Sequence, residues 1–196
     1  GCCSIEISLV IEYRSFHNLD PPQLVVLWHE AELGRGAAAG FSTDAFETLL
    51  FAQPYFDREG LIVACDGSKI VGFVHAGFGP NADESALSRD KGVICALIVH
   101  PRYRRRGIGR ELVARAEGYL KRSGAQSIVA GPAPPQDPFY FGLYGGSQPS
   151  GFLDSDPLAA PFFNALGYKR GTQWRVYQRD MNVQRDPMSF RLASHR

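Results

Sequence analysis

The sequence predicts a mixed α/β domain: a mixed, largely antiparallel sheet with helices on both faces. Three observations carry this expectation. Strand-length apolar runs are interspersed with runs of helical period, but without the regular alternation of an all-parallel sheet. Asp66-Gly67-Ser68 separates two β-rich runs as a hairpin turn does. The buried-looking run Val93 to His100 passes through a glycine-bearing turn directly into an amphipathic stretch, Arg110 to Arg122. With 196 residues, 44% hydrophobic and 21% charged, the chain suits one globular domain with a full core.

The elements follow in order. Ile5 to Tyr13 alternates imperfectly and reads as a first strand. Asp20-Pro21-Pro22 offers an N-cap followed by proline in the first turn, opening a helix through Leu24, Leu27, Trp28 and Ala31. Gly34 to Gly40 is a small-residue linker, after which Ser42 or Thr43 caps a second helix through Phe46 and Leu50 that ends at Pro54. Gly60 to Cys65 and Lys69 to Phe78 form the hairpin, and the polar stretch Gly79 to Gly92 reads as a mobile loop. Gly124 ends the Arg110 to Arg122 helix, Gln126 to Ala130 is a further strand, Leu158 to Leu166 a last helix closed by Gly167, and Thr172 to Met181 a final strand. The expected organisation is one domain over 1–181 with a polar tail or linker at 182–196.

Composition narrows the function. A net charge of +1 gives no global attraction to nucleic acid or membrane, so the arginine cluster Arg102 to Arg110 is a local feature. It lacks the interleaved aromatics of a base-stacking surface. No apolar run approaches a membrane span, and the N-terminal Gly1-Cys2-Cys3-Ser4 does not complete a myristoylation pattern, because Ile5 lies where Ser or Thr is needed. Cys2, Cys3, Cys65 and Cys95 give neither a metal-type spacing nor a disulfide framework, which points to a reducing, cytoplasmic setting and to no bound metal.

The turn after the Val93 to His100 strand has the makings of an anion site. Gly107 and Gly109 allow a tight backbone close to a ligand, and the first N–H groups of the following helix point outward, unpaired, at the positive end of the helix dipole. A phosphate or pyrophosphate suits that place.

Arg104-x-x-Gly107-x-Gly109, preceded by Leu97-x-Val99-x-Pro101, resembles the pyrophosphate loop and cofactor strand of the GCN5-related N-acetyltransferase (GNAT) superfamily. Ser155 to Tyr168 resembles the later pattern of that family, with Asp156 where Asn is usual and Phe163 where Tyr is usual. The resemblance covers roughly residues 60 to 180. It implies an acetyl-CoA-dependent N-acetyltransferase in which the amine of a small molecule or peptide attacks directly in a ternary complex. It also implies that Cys95 to His100 and Gln126 to Ala130 are the parallel strands that splay around the pantetheine arm. Backbone groups of Leu97, Ile98 and Val99 would hold that arm and polarise the acyl carbonyl. The amides of Arg105, Arg106, Gly107, Ile108, Gly109 and Arg110, aided by the arginine side chains including Arg104, would take the pyrophosphate, with Asp156 and Phe163 bordering the cofactor.

Phe163 has no hydroxyl with which to protonate the departing thiolate. Tyr140, Tyr144 or Tyr168, water, or a noncatalytic acyl-CoA-binding module in a tandem protein are the alternatives. For the general base the sequence offers Glu84, His75, His100, Asp154 and Asp156; His100 is expected to turn outward beside Pro101, and Cys95 to be a buried, inert thiol. Gly131 to Pro157, with Phe139, Tyr140, Phe141 and Tyr144, is too long for a simple connection. It reads either as a specificity element lining a pocket for an apolar or aromatic amine, or as a self-packed loop or homodimer contact.

Overall fold

Five strands form one sheet in their order along the chain: β1 (Ile11–Ser15), β2 (Leu61–Asp66), β3 (Lys69–Pro80), β4 (Leu87–Val99) and β5 (Ser127–Ala130). This computed structural model describes residues 10–33, 40–132, 139–140, 152, 156–171 and 173. β1 through β4 pair antiparallel and β5 joins β4 in parallel, as the mixed pattern predicts. Gly67, at φ 57°, closes the β2–β3 hairpin in the left-handed region that a two-residue turn requires. The first strand is seen from Ile11; the expected start at Ile5 and the expected strand Thr172 to Met181 lie mostly or wholly outside the described residues, as does the boundary at 181.

Two expectations are corrected. The stretch Gly79 to Gly92 is not a loop: β3 and β4 extend into it and leave a turn over Asn81–Ala86. The Asn81 N–H donates to the Ala86 carbonyl at 2.8 Å, and Asp83 accepts from both the amide and the hydroxyl of Ser85, so polar side chains build the turn locally. Arg89, Asp90 and Lys91 are exposed on β4, which is why that half of the strand looks loop-like in sequence. The helix α1 (Pro21–Glu30) does begin after Asp20, but the carboxylate makes no side-chain cap. It takes a two-pronged bond from Arg14 at 2.7 and 2.8 Å and the His17 N–H at 2.7 Å. Burial opposes the charge, yet the Arg14 guanidinium and the His17 amide hold the Asp20 carboxyl below its ordinary range.

Helices cover both faces. On one lie α1 and the short α2 (Thr43–Phe46), which Ser42 caps by accepting the Ala45 N–H at 3.2 Å and which runs on as a wide turn through Glu47–Phe51. Leu24, Leu27, Trp28, Phe46 and Leu50 pack there on Leu61, Val63, Phe73, Val93 and Ile98 of the sheet. On the other face α3 (Ile108–Arg122) and α4 (Ala159–Ala165) bring Leu112, Ala116, Leu120 and Phe163 onto Ile62, Ala64, Val71, Val74 and Ile94. The alternation Leu61/Ile62/Val63/Ala64 sends successive side chains to opposite faces, the period of two that a strand buried on both sides uses.

Gly60 sits where β2 passes under β3 and α3. A Cβ there would fall 2.2 Å from the Ala76 carbonyl oxygen and 2.9 Å from Cε1 of Tyr119, whereas one at Gly40 meets nothing within 4 Å. Gly60→Ala is expected to destabilise the fold by about 3 kcal/mol and Gly40→Ala to stay within about 0.5 kcal/mol of the parent. Urea denaturation of the two variants beside the parent checks this, and equal midpoints for all three would disprove the close approach at Gly60.

Candidate active site

The parallel ladder is short. β4 pairs with β5 only from Lys91–Ser127 to Ile94–Ala130, and the last contact is the Gly131 N–H donating to the Ile94 carbonyl at 2.9 Å. Beyond it, among the described residues, β4 from Cys95 to Val99 is paired with β3 alone. Of the strands expected to splay, Cys95 to His100 and Gln126 to Ala130, the second pairs in parallel with β4 only as far as Ile94, and Cys95 to Val99 lie beyond that ladder. A bulge marks that point: His75 pairs with Ala96 and Ala76 with Ile94, leaving Cys95 the extra residue and putting Cys95 and Ala96 in the same packed cluster. Leu97, Ile98 and Val99 lie on the parted segment, with one row of backbone groups turned to the gap.

At the end of β4 a single 3₁₀ turn (Pro101–Tyr103) leads to α3. The first α-helical bond runs from the Glu111 N–H to the Gly107 carbonyl, so the amides of Ile108, Gly109 and Arg110 have no acceptor within the helix. Gly107 caps the helix with φ 82°, a conformation that side chains resist, and Arg105 shares the left-handed region at φ 64°. Gly109 serves closeness instead: a Cβ there would lie 3.3 Å from the Phe162 ring of α4. Arg105, Arg106 and Arg110 are exposed at this opening, Arg106 lying over the Tyr103 ring at 5.5 Å. Arg104 turns the other way. Its Nε donates to the Val99 carbonyl at 3.0 Å and its Nη2 to the Ala31 carbonyl, so it braces the loop from behind instead of presenting its charge to a ligand. That correction has a plain cause, since the carbonyls at the ends of β4 and α1 need donors.

Phe163 is buried against Phe152, Phe162 and Tyr168 at ring distances of 4.8, 5.2 and 5.4 Å. Asp156 accepts the Leu158 N–H at 2.8 Å and so shapes the approach to α4. The Tyr168 hydroxyl donates to Glu117 of α3 at 2.8 Å, and burial together with that carboxylate pushes its pKa above the ordinary tyrosine value. Glu84 stands exposed in the β3–β4 turn with φ 57°. His100 does not turn outward: it is buried, its Nδ1 accepts the Arg102 N–H at 3.2 Å, and its Nε2 lies 3.3 Å from Glu30. Cys95 is a buried free thiol with its sulfur 3.6 Å from the Val93 carbonyl. Tyr144 and Asp154 lie outside the described residues.

The structure does join two residues that the sequence offered separately. His75 Nδ1 and the Tyr140 hydroxyl are 3.0 Å apart, both side chains are wholly buried, and Tyr140 adopts a left-handed φ of 51°. Phe139 lies tilted over the His75 ring at 4.3 Å, Phe56 meets it edge-on at 5.7 Å, and the Trp28 and Tyr140 rings are parallel at 6.3 Å. Phe139 also rests on Gly77, where a Cβ would lie 2.7 Å from its ring. Trp28 and Gly77 read in sequence only as helix and strand residues and Phe56 carries no signal of its own, so nothing there marks them as the surroundings of this pair. His75 Nε2 has no hydrogen-bond partner among the described residues, a burial that costs about 1–3 kcal/mol. Burial pulls the His75 pKa down to about 3, so the ring is neutral near pH 7.

Parted parallel strands beside a helix start with free amides define a class of protein that seats a long ligand by its phosphates and lays the remainder along a strand edge. Residues 15–142 match the family model described as the Acetyltransferase (GNAT) family, and the chain belongs to that family. Among curated proteins none matches it. Solved structures share the fold. A transcriptional regulator from Bacillus halodurans C-125 has 21% identity and a TM-score of 0.57, over 86% of this chain and 99% of that one. The aminoglycoside acetyltransferase meta-AAC0020, from an uncultured soil metagenomic sample and solved with trehalose, has 17% identity and a TM-score of 0.59, over 90% and 99%. The aminoglycoside N-acetyltransferase AAC(6')-Iy in complex with CoA has 14% identity and a TM-score of 0.57, over 87% and 95%. No helix among the described residues is long and apolar enough to cross a membrane.

The neutral, buried His75 sets an acid limit on stability. The unfolded chain protonates this residue below about pH 6.5, while the folded one, walled in by Phe56, Phe139 and Tyr140, does not do so until about pH 3. The unfolded state therefore binds the extra proton in that window, and stability falls with pH by up to about 1.4 kcal/mol per unit. Urea midpoints at pH 7.5, 6 and 5 should decline in the parent, and the decline should flatten in His75→Gln. An identical slope in both would show that His75 is not the titrating group.

Proposed function

We propose that the protein is an acetyl-CoA-dependent N-acetyltransferase that acts on a primary amine of a small molecule or protein. The observation that supports this most is that the β4–β5 ladder stops at Ile94, leaving Cys95 to Val99 beyond it on the way to the α3 start, whose first amides have no acceptor within the helix. The residues present suit that cofactor: the amides from Arg105 to Arg110 meet the pyrophosphate, exposed Arg105, Arg106 and Arg110 add charge, and the backbone of Leu97, Ile98 and Val99 holds the pantetheine amides. When bound, the cofactor supplies an activated acyl carbonyl as a thioester. Backbone N–H groups on β4 orient and polarise that carbonyl for direct attack by the amine. No acyl-enzyme is invoked, in keeping with the burial of the Cys95 thiol.

Proton handling is assigned to solvent. Phe163 has no hydroxyl, the Tyr168 hydroxyl is held by Glu117, His75 and Tyr140 are sealed from water, and Glu84 projects from the far turn. Tyr144 is the remaining tyrosine of the Gly131 to Pro157 segment, and Tyr144→Phe tests it against water.

For the acceptor, the solved relatives named for aminoglycosides support a small-molecule amine. A groove of about 600 Å³ on the α1 and α2 face, lined in part by Phe16, Glu47, Phe51 and Phe56, favours a cation with an apolar body. A cytoplasmic site of action agrees with the buried free thiols of Cys65 and Cys95. The aromatic setting of Phe163 favours a second reading, a catalytically weak acyl-CoA-binding module.

Thiol release from acetyl-CoA, measured against amines, polyamines, aminoglycosides and peptide N-termini with cofactor binding followed in parallel, separates the readings. Amine-dependent release supports the enzyme, and binding without release from any acceptor supports the module. Gly107→Asp sets a carboxylate at the helix start against the pyrophosphate and is expected to weaken CoA binding at least about 100-fold in calorimetry. Unchanged affinity would remove the loop from the cofactor site.

A further inference from the structure

The cofactor arm, laid along β4 from the α3 amides, has a defined stopping point. The parted segment Cys95–Val99 is five residues long, roughly 16 Å at the usual strand rise, and it ends at the vertex where β5 rejoins β4 at Ile94. The acyl group carried at the tip of the arm therefore arrives beside the bulge. There Cys95 and Ala96 share a packed cluster with Phe139 and Tyr140, and the residue paired with Ala96 across the sheet is His75.

Phe139 and Tyr140 follow β5 in the chain, yet they rest on β3, on the opposite side of β4 from β5. What holds them is specific. The Tyr140 hydroxyl is bonded to His75 Nδ1, its ring is parallel to Trp28, and its backbone keeps a left-handed φ that a tyrosine adopts only when its surroundings insist. Cys95, Ala96, His75 and Tyr140 have no solvent exposure, so the face above the bulge is filled. A chain growing past the acyl carbonyl on this side has to push out an aromatic ring and break a buried hydrogen bond.

We propose that Tyr140, positioned by His75, is the end wall of the acyl pocket and restricts this protein to acetyl- and propionyl-sized acyl groups. The inference rests on the cofactor reading above and deepens it by naming the acyl class. Tyr140 limits what fits, and His75 is a positioning residue that keeps the ring in place.

Calorimetric titration of the whole chain with CoA, acetyl-CoA, butyryl-CoA and hexanoyl-CoA tests this without an acceptor. The expected result is hexanoyl-CoA binding at least about 10-fold weaker than acetyl-CoA, with CoA and acetyl-CoA alike. Tyr140→Leu shortens the wall and should bring hexanoyl-CoA to within about 3-fold of acetyl-CoA while leaving CoA unchanged. Tyr140→Phe keeps the ring volume and loses the hydroxyl that bonds to His75; it should narrow the gap in part, and it decides the matter if Tyr140→Leu does not fold. Equal binding of all four by the parent, or folded variants that discriminate as the parent does, would overturn the wall while leaving the cofactor reading intact. Failure of the parent to bind CoA at all would overturn both.

Discussion

One hydrogen bond governs the arrangement, the donation from the Gly131 N–H to the Ile94 carbonyl that closes the parallel ladder. Up to that point β5 pairs with β4; past it Gly131 takes φ 95°, and among the described residues the ladder of β4 from Cys95 to Val99 is with β3. An unpaired strand edge inside a protein demands a partner, because buried backbone amides and carbonyls are costly to leave without one. The Cys95 bulge falls at the same level and changes the twist of β4 where the neighbour departs. The gap is thus a consequence of pairing, and the chemistry attributed to it follows from what a free strand edge can hold.

The loop that follows divides its work among residues that look alike in sequence. Gly107 supplies a backbone conformation and Gly109 supplies proximity to Phe162, so the two glycines answer different demands. Among the arginines, Arg104 faces the protein, while Arg105, Arg106 and Arg110 face solvent. Charge density alone would treat them as one patch. The geometry makes one of them scaffolding and leaves the others exposed.

What the sequence disclosed was mostly local. The hairpin at Gly67, the cap at Ser42 and the strand–turn–helix around Gly107 are set by neighbours in the chain, and each was legible from residue type and spacing. The polar stretch before Gly92 misled because a strand exposed along part of its length has the composition of a loop, and only its pairing with β3 and β5 reveals it. Asp20 looked like a helix cap because the competing partner, Arg14, lies on another element. The His75–Tyr140 bond joins positions 65 apart in the chain. Either residue can be suspected from its type, but their meeting depends on a crossing over β4 that no local pattern encodes. The same holds for Arg104, whose acceptors sit at the ends of β4 and α1.

That one guanidinium grips both the Val99 carbonyl and the Ala31 carbonyl has a thermodynamic corollary. Val99 ends β4, and Ala31 terminates the helix that carries Trp28. Stiffening either end through Arg104 lowers the entropy left to be lost at the other, and linkage makes that exchange equal in both directions. The end of β4 and the end of α1, on different elements, are therefore mechanically joined by one side chain, so that order imposed at either is felt at the other.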